Sequence, residues 1–207
     1  MLESAIKLLD ISSELIEENL TTLAFSGEIE LDSLDGVPVV YQHFYFQAEQ
    51  RVTYHIKRIM NGYMPPLAAD PDNLINAAEA EERIQLSGDQ RKAIRAALTN
   101  KITIITGGPG TGKTTIINLI VKIFKLMGIS VALAAPTGRA AKRITETSGV
   151  EAMTIHRLLE YVYSEDENEM EFGRNSENPL EEDSFIVDEA SMIDLMLMDG
   201  FLSALED

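Results

Sequence analysis

Gly107-Gly108-Pro109-Gly110-Thr111-Gly112-Lys113-Thr114 decides how this chain is read. These residues follow an Ile-rich, β-prone run from Lys101 to Thr106 and open a stretch of helical periodicity that reaches Met127. Glycines at such a junction let successive backbone N–H groups point inward, and the helix N-terminus adds the positive end of its dipole. The pattern G-x-x-x-x-G-K-T between a strand and a helix is therefore a phosphate cradle, formed by Gly108, Pro109, Gly110, Thr111, Gly112, Lys113, Thr114 and Thr115. Lys113 brings a cation to the β and γ oxygens of a nucleotide such as ATP, and the Thr114 hydroxyl is a ligand for Mg²⁺.

The second half of such a site is Phe185-Ile186-Val187-Asp188-Glu189, an apolar strand ending in two acids about 75 residues further on. Asp188 is placed to hold Mg²⁺ through its water shell, and Glu189, just beyond the strand, to polarise an attacking water. Metal together with a general base implies hydrolysis as well as binding. Lys113 and Glu189 are the candidate catalytic residues.

Between and around these motifs the pattern is α/β. It predicts helices over about 87–99, 112–127, 138–147, 154–161 and 194–205, and strands over 101–106, 129–134 and 185–187. Strands made of Ile, Val, Leu, Ala and Thr suit a parallel sheet covered on both faces. Residues 164–183 stand apart: Glu165, Asp166, Glu167, Glu169, Glu171, Glu177, Glu181, Glu182 and Asp183 face one base, Arg174. That composition reads as a solvated surface excursion.

The first 62 residues read as a small α+β module. Leu15, Ile16, Leu20, Leu23 and Ala24 recur at helical spacing behind Ser12 and Ser13, either of which can cap the helix. Two β-prone runs, 28–31 and 37–41, flank Ser33-Leu34-Asp35-Gly36 as a hairpin, and a helix follows from about Tyr45 to Met60. Asn61-Gly62-Tyr63-Met64-Pro65-Pro66 ends that helix, because proline lacks the N–H and displaces its predecessor from helical geometry. The expected organisation is a module over 1–62, a linker over 63–86, and an ATPase domain over 87–207.

Composition limits the alternatives. The 207 residues are 45% apolar and 25% charged, enough for one sizeable core. The longest uncharged stretch, Leu126 to Gly138, falls short of the ~18–20 residues that cross a bilayer, and the N-terminus carries no apolar signal core. With no Cys, the composition fits a reducing cytoplasm, and metal ligands must be carboxylate, hydroxyl or imidazole. The 17 basic and 34 acidic residues give a net charge of −17, which opposes nucleic-acid binding unless a local basic patch overcomes it.

Four segments supply a more specific likeness: Gly108 to Thr115, Ala135-Pro136-Thr137-Gly138-Arg139-Ala140-Ala141-Lys142-Arg143, Thr154-Ile155-His156-Arg157-Leu158-Leu159, and Val187-Asp188-Glu189-Ala190-Ser191-Met192-Ile193-Asp194. In order and content they resemble motifs I, Ia, Ib and II of the RecD/TraA branch of superfamily 1 DNA helicases. Leu86-Ser87-Gly88-Asp89-Gln90 resembles the glutamine motif that precedes them, and Tyr45 to Met60 more loosely resembles the helix in front of the motor. The resemblance implies a P-loop NTPase fold with a RecA-like parallel sheet, MgATP as the nucleotide, and single-stranded DNA as partner. It also implies 5′ to 3′ translocation, and service alone or within a nuclease–helicase complex.

Residue by residue, the resemblance implies that Gln90 reads the adenine edge, where an amide donates and accepts together. Pro136, Thr137, Gly138, Arg139, Lys142 and Arg143 would meet DNA phosphates, supplying the basic patch that the overall charge demands. Thr154 and His156 would touch the single strand. It further implies a strand inserted between the P-loop strand and the Asp188-Glu189 strand, contributed by sequence after motif II. Either such sequence follows Asp207 in a longer protein, or the sheet is incomplete and something else fills it. Two other readings share the P-loop and the paired acids: an ATPase acting on RNA or protein, and an interaction module whose nucleotide is structural.

Overall fold

The computed structural model describes residues 2–67, 69–108, 110–164 and 169–206, with backbone alone at 2, 163, 164, 169 and 170. Two compact units divide the chain, residues 1–51 and 52–207.

In the first unit, α1 (Leu2–Leu9) precedes α2 (Ser13–Phe25), and the antiparallel strands β1 (Ile29–Leu34) and β2 (Val37–Gln42) lead into α3 (His43–Asn61). The Ser12 hydroxyl accepts the Leu15 N–H at 3.4 Å, so Ser12 is the cap of α2. Asp35 and Gly36 turn the hairpin with φ of 51° and 80°, the left-handed pair that matches strand twist. The helix, hairpin and helix stand where the sequence predicts them, and α1 is additional. Ile16 and Ala48 are the buried apolar residues described in this unit, whereas Leu8, Phe25, Leu34 and Val37 are exposed.

The second unit holds the end of α3 and then α4 (Pro71–Glu82), α5 (Gly88–Thr99), α6 (Lys113–Leu126), β3 (Val131–Ala135), α7 (Gly138–Ser148), β4 (Ala152–Thr154), α8 (Ile155–Leu158), β5 (Tyr161–Ser164), β6 (Glu169–Phe172), β7 (Ser184–Val187), a 3-10 turn (Ala190–Met192) and α9 (Leu195–Ser203). Helix α4 lies within 63–86. Its Pro71 occupies the first helical position, where a missing N–H breaks no bond. Ile75 and Ala78 of α4 pack with Ile94 and Leu98 of α5 and the Ile116–Phe124 face of α6.

A parallel sheet of order β4-β3-β7 forms the centre. Successive β3 side chains point to opposite faces, so Ala132 and Ala134 join the cluster of α8 and α9, and Leu133 and Ala135 join that of α6 and α7. Helices on both faces of a parallel sheet are the layering that the apolar strands predict.

Residues 101–106 do not form the expected strand. Their burial alternates residue by residue as a strand's does, yet they pair with no described strand. A cavity of about 500 Å³ separates Thr103 and Ile105 from Ile186 and Val187 on β7, with Ile120 and Phe124 of α6 beneath it. Without a neighbour at ~4.8 Å no ladder can close, and Ile104 is left 85% exposed. The gap lies on the side of β7 where the resemblance implies an inserted strand.

The described part of the acidic stretch packs onto the domain. β5 and β6 pair as a hairpin, and Leu180 is buried with its N–H on the Ala204 carbonyl at 2.9 Å. Arg174 donates to Glu160 Oε1 at 2.9 Å and to the Pro179 carbonyl at 3.1 Å. The Glu160 carboxylate holds the guanidinium charge more firmly still, raising its already high pKa. Glu165, Asp166 and Glu167 lie outside the described residues.

Candidate active site

The phosphate cradle is built by backbone conformations that side chains resist. Gly110 and Gly112 have φ of 74° and 85°, and Gly112 is the residue from which α6 starts. A Cβ on Gly112 would stand 2.4 Å from Gln90 Nε2, and one on Gly107 would stand 2.6 Å from Thr111 Oγ1. Pro109 lies outside the described residues. Lys113 Nζ donates to the carbonyls of Gly107 (2.6 Å) and Gly108 (3.0 Å), and Thr111 Oγ1 donates to the Gly108 carbonyl at 2.9 Å. The ammonium is thus held inside the loop, and Thr114 and Thr115 follow half-buried in the first turn of α6.

Gln90 is tied on both sides. Its Oε1 accepts the Ser87 N–H at 2.9 Å while Ser87 Oγ accepts the Gln90 N–H at 3.2 Å, a reciprocal cap on α5. Its Nε2 donates to the Thr111 carbonyl at 3.1 Å. One amide hydrogen and one lone pair remain for a base edge.

At the end of β7, the Asp188 N–H donates to the Ala134 carbonyl at 3.1 Å, fixing the Asp188 backbone beside the C-terminal end of β3. Asp188 Oδ1 accepts the Glu189 N–H at 2.9 Å, and Glu189 itself has φ of 54°, a left-handed conformation uncommon for a side chain of its size. Lys113 and Asp188 line the same cavity. Hydroxyl and carboxylate oxygens are hard ligands that suit Mg²⁺ completed by phosphate and water, so the donor set of Thr114 and Asp188 fits the metal that the P-loop implies.

The same sheet edge carries the basic helix. Ala135 is in register with Thr154 of β4, and Ala134 with Val187 of β7, so the ends of all three strands meet there. Pro136 and Thr137 are half-buried, and Gly138, Arg139, Lys142 and Arg143 are exposed on α7. Thr137 caps α7 by accepting the Ala140 N–H at 3.3 Å. Lys142 Nζ stands 3.8 Å from Glu146, and Arg143 Nη1 stands 4.0 Å from Glu189 Oε1. The Arg143–Glu189 pair is absent from any sequence pattern, since 45 residues separate its members. Thr154 is occupied as the cap of α8, accepting the Arg157 N–H at 3.2 Å. His156 is exposed with its ring edge-on to Tyr161, at 5.3 Å between centroids.

A P-loop leading into α6, two acids after a parallel strand and helices on both sheet faces define a nucleotide-binding P-loop domain. A family model described as "AAA domain" matches residues 90–207, and the chain belongs to that family, in its RecD-type branch. It is 33% identical over 165 residues to the ATP-dependent RecD2 DNA helicase of Deinococcus radiodurans, a match covering 80% of this chain and 22% of that protein. To RecBCD enzyme subunit RecD of Haemophilus influenzae it is 31% identical over 201 residues, covering 82% and 31%. The same subunit of Mycolicibacterium smegmatis is 31% identical over 189 residues, covering 80% and 32%. The chain therefore spans between about a fifth and a third of the length of these relatives. Among the described residues no helix is long and apolar enough to cross a membrane.

Proposed function

We propose that this chain binds MgATP at 107–115 and single-stranded DNA across α7 and α8, as part of the motor of a cytoplasmic, ATP-dependent 5′ to 3′ DNA helicase. The observation that carries the reading is the shared edge: Asp188 and Glu189 leave β7 beside the strand whose end leads into the basic helix. A DNA phosphate at Arg139, Lys142 or Arg143 thus lies one strand away from the acids that serve hydrolysis. The names of the relatives, an ATP-dependent DNA helicase and subunits of the RecBCD enzyme, support the same reading and a place in a nuclease–helicase complex.

In this reading Lys113 leaves the carbonyls of Gly107 and Gly108 and neutralises the β and γ oxygens. The loop N–H groups and the α6 dipole hold the phosphates in a fixed field, which costs no reorganisation during reaction. Thr114 and Asp188 would hold Mg²⁺, which would supply charge neutralisation at the phosphates. Glu189 takes the proton of the attacking water. Gln90 keeps one donor and one acceptor for adenine while its other bonds tie the loop to α5. Thr137 and Gly138 offer a capped helix N-terminus, and Arg139, Lys142 and Arg143 offer cations to DNA phosphates.

Titrating a labelled oligothymidylate at several salt concentrations tests this. Three phosphate contacts at ~0.7 each give a slope of log affinity on log salt near −2. Arg139→Glu is expected to weaken DNA binding with little change in MgATP affinity. A variant that binds DNA as well as the parent would remove α7 from the DNA path.

A further inference from the structure

The aromatic side chains beside His156 form a supported series that the nucleotide site does not use. Tyr161 and Phe172 are directly opposed across the β5–β6 hairpin, with ring centroids 5.0 Å apart. Phe172 is packed against the cluster of α8 and α9, and it fits because Gly200 lacks a side chain: a Cβ there would come within 2.5 Å of the ring. His156 then stands edge-on to Tyr161 at 5.3 Å. The rings step from the core through Phe172 to Tyr161, which is 39% exposed, and to exposed His156.

We infer that Tyr161, with His156 at its edge, is a stacking surface for a base of single-stranded DNA. The inference rests on the proposed DNA path over α7 and α8 and extends it by a contact of different chemistry. Position supports it: His156 lies two residues past Thr154, whose register partner Ala135 leads directly into the basic helix. A strand with phosphates on α7 can turn its bases toward α8 and β5. Pre-organisation supports it as well, because a ring pinned by Phe172 loses little conformational freedom on taking a base. The chemistry supports a base as the occupant, because an aromatic face stacks with any base irrespective of sequence.

The test compares the parent chain with Tyr161→Leu, which keeps apolar contact with Phe172 but has no π-face, and with Tyr161→Phe, which keeps the face. Labelled oligothymidylate and an abasic oligonucleotide of equal length are titrated against each. Tyr161→Leu is expected to weaken oligothymidylate binding roughly 5- to 150-fold, the range for one base–aromatic stack, with an unchanged salt slope. Tyr161→Phe is expected to bind as the parent does, and the abasic strand to bind parent and Tyr161→Leu equally. A Tyr161→Leu protein with parental affinity, while Arg139→Glu is weakened, would overturn the stacking surface and leave the DNA path standing. Equal losses on both oligonucleotides would assign Tyr161 a purely structural role and also overturn it. No DNA binding by the parent would overturn both readings together.

Discussion

Gln90 Nε2 donates to the carbonyl of Thr111 at 3.1 Å, so the cap of α5 and the phosphate loop are joined through one amide. The same nitrogen stands where a Cβ on Gly112 would come within 2.4 Å. Gly112→Ala is therefore expected to push the Gln90 amide off Thr111, in addition to the strain of a side chain at φ 85°. Gln90→Ala forfeits its half of the capping box, a hydrogen bond worth about 0.5–1.5 kcal/mol, and is expected to weaken MgATP binding. Because Gln90→Ala removes the atom that the new Cβ meets, the double variant should lose less stability than the sum of the singles. Urea denaturation of the four proteins measures the coupling, and strict additivity would show that the two positions do not interact.

Arg143 and Glu189 lie 4.0 Å apart with side chains 70% and 46% exposed. An exposed pair of this kind contributes about 0.2–1 kcal/mol, so breaking it should hardly change stability. It engages a cation that the DNA reading assigns to phosphate. Glu189→Gln is expected to strengthen oligothymidylate binding in the parent and to leave it unchanged in an Arg143→Gln background. An equal gain in both backgrounds would reduce the effect to a general loss of negative charge.

The strand ends are also fastened at their other side. Ser130 donates to Asp183 Oδ2 from its hydroxyl at 2.5 Å and from its backbone N–H at 2.8 Å, and the hydroxyl chiefly, then the N–H, lowers the carboxyl pKa. A carboxyl lowered on folding stabilises the fold above its unfolded value, about 3.9, and that contribution disappears as pH falls through the lower folded value. Ser130→Ala should thus be less stable than the parent at pH 7, with the gap closing as pH falls below the unfolded value and through the lower folded one. Denaturant midpoints across that range check it, and a constant gap would exclude the carboxylate as its source.

Turnover by residues 1–207 alone should be slight. Among the described residues Lys113 is the cation held inside the phosphate loop, and Arg143 faces Glu189. A cation delivered to the γ-phosphate in the transition state accelerates such reactions ~10³–10⁵-fold, and the Arg143 guanidinium is turned to Glu189 instead. Release of inorganic phosphate with and without oligothymidylate measures it. Brisk, DNA-stimulated release would show that this chain carries a complete catalytic set.

Legibility in the sequence followed the physics of each segment. The phosphate loop, α6 and the Asp188-Glu189 strand were readable because glycine, lysine and acid spacing is dictated locally. Helix α4 falls in the span read as a linker after Pro65 and Pro66, and its own Pro71 begins the helix. β4 is three residues long between Gly149 and the cap Thr154, too short for alternation to register. The β5–β6 hairpin was masked by its acids, since the cross-strand contact of Tyr161 with Phe172 is set by pairing and not by composition. Conversely, 101–106 has a strand's sequence and a strand's alternating burial, but a ladder needs a partner that spacing alone does not supply. Within the candidate site, the residues were readable and their mutual ties were not: Gln90 to Thr111 and Arg143 to Glu189 are long-range geometry.

Calorimetric titration of MgATP into the parent chain and into Lys113→Ala tests the nucleotide site most directly. A charge-assisted hydrogen bond to phosphate contributes about 1.5–3 kcal/mol, so the variant is expected to bind at least ~10-fold more weakly. The parent should bind one nucleotide per chain. Equal affinity of the two proteins, or no binding by the parent, would contradict a phosphate cradle at Gly107 to Thr114.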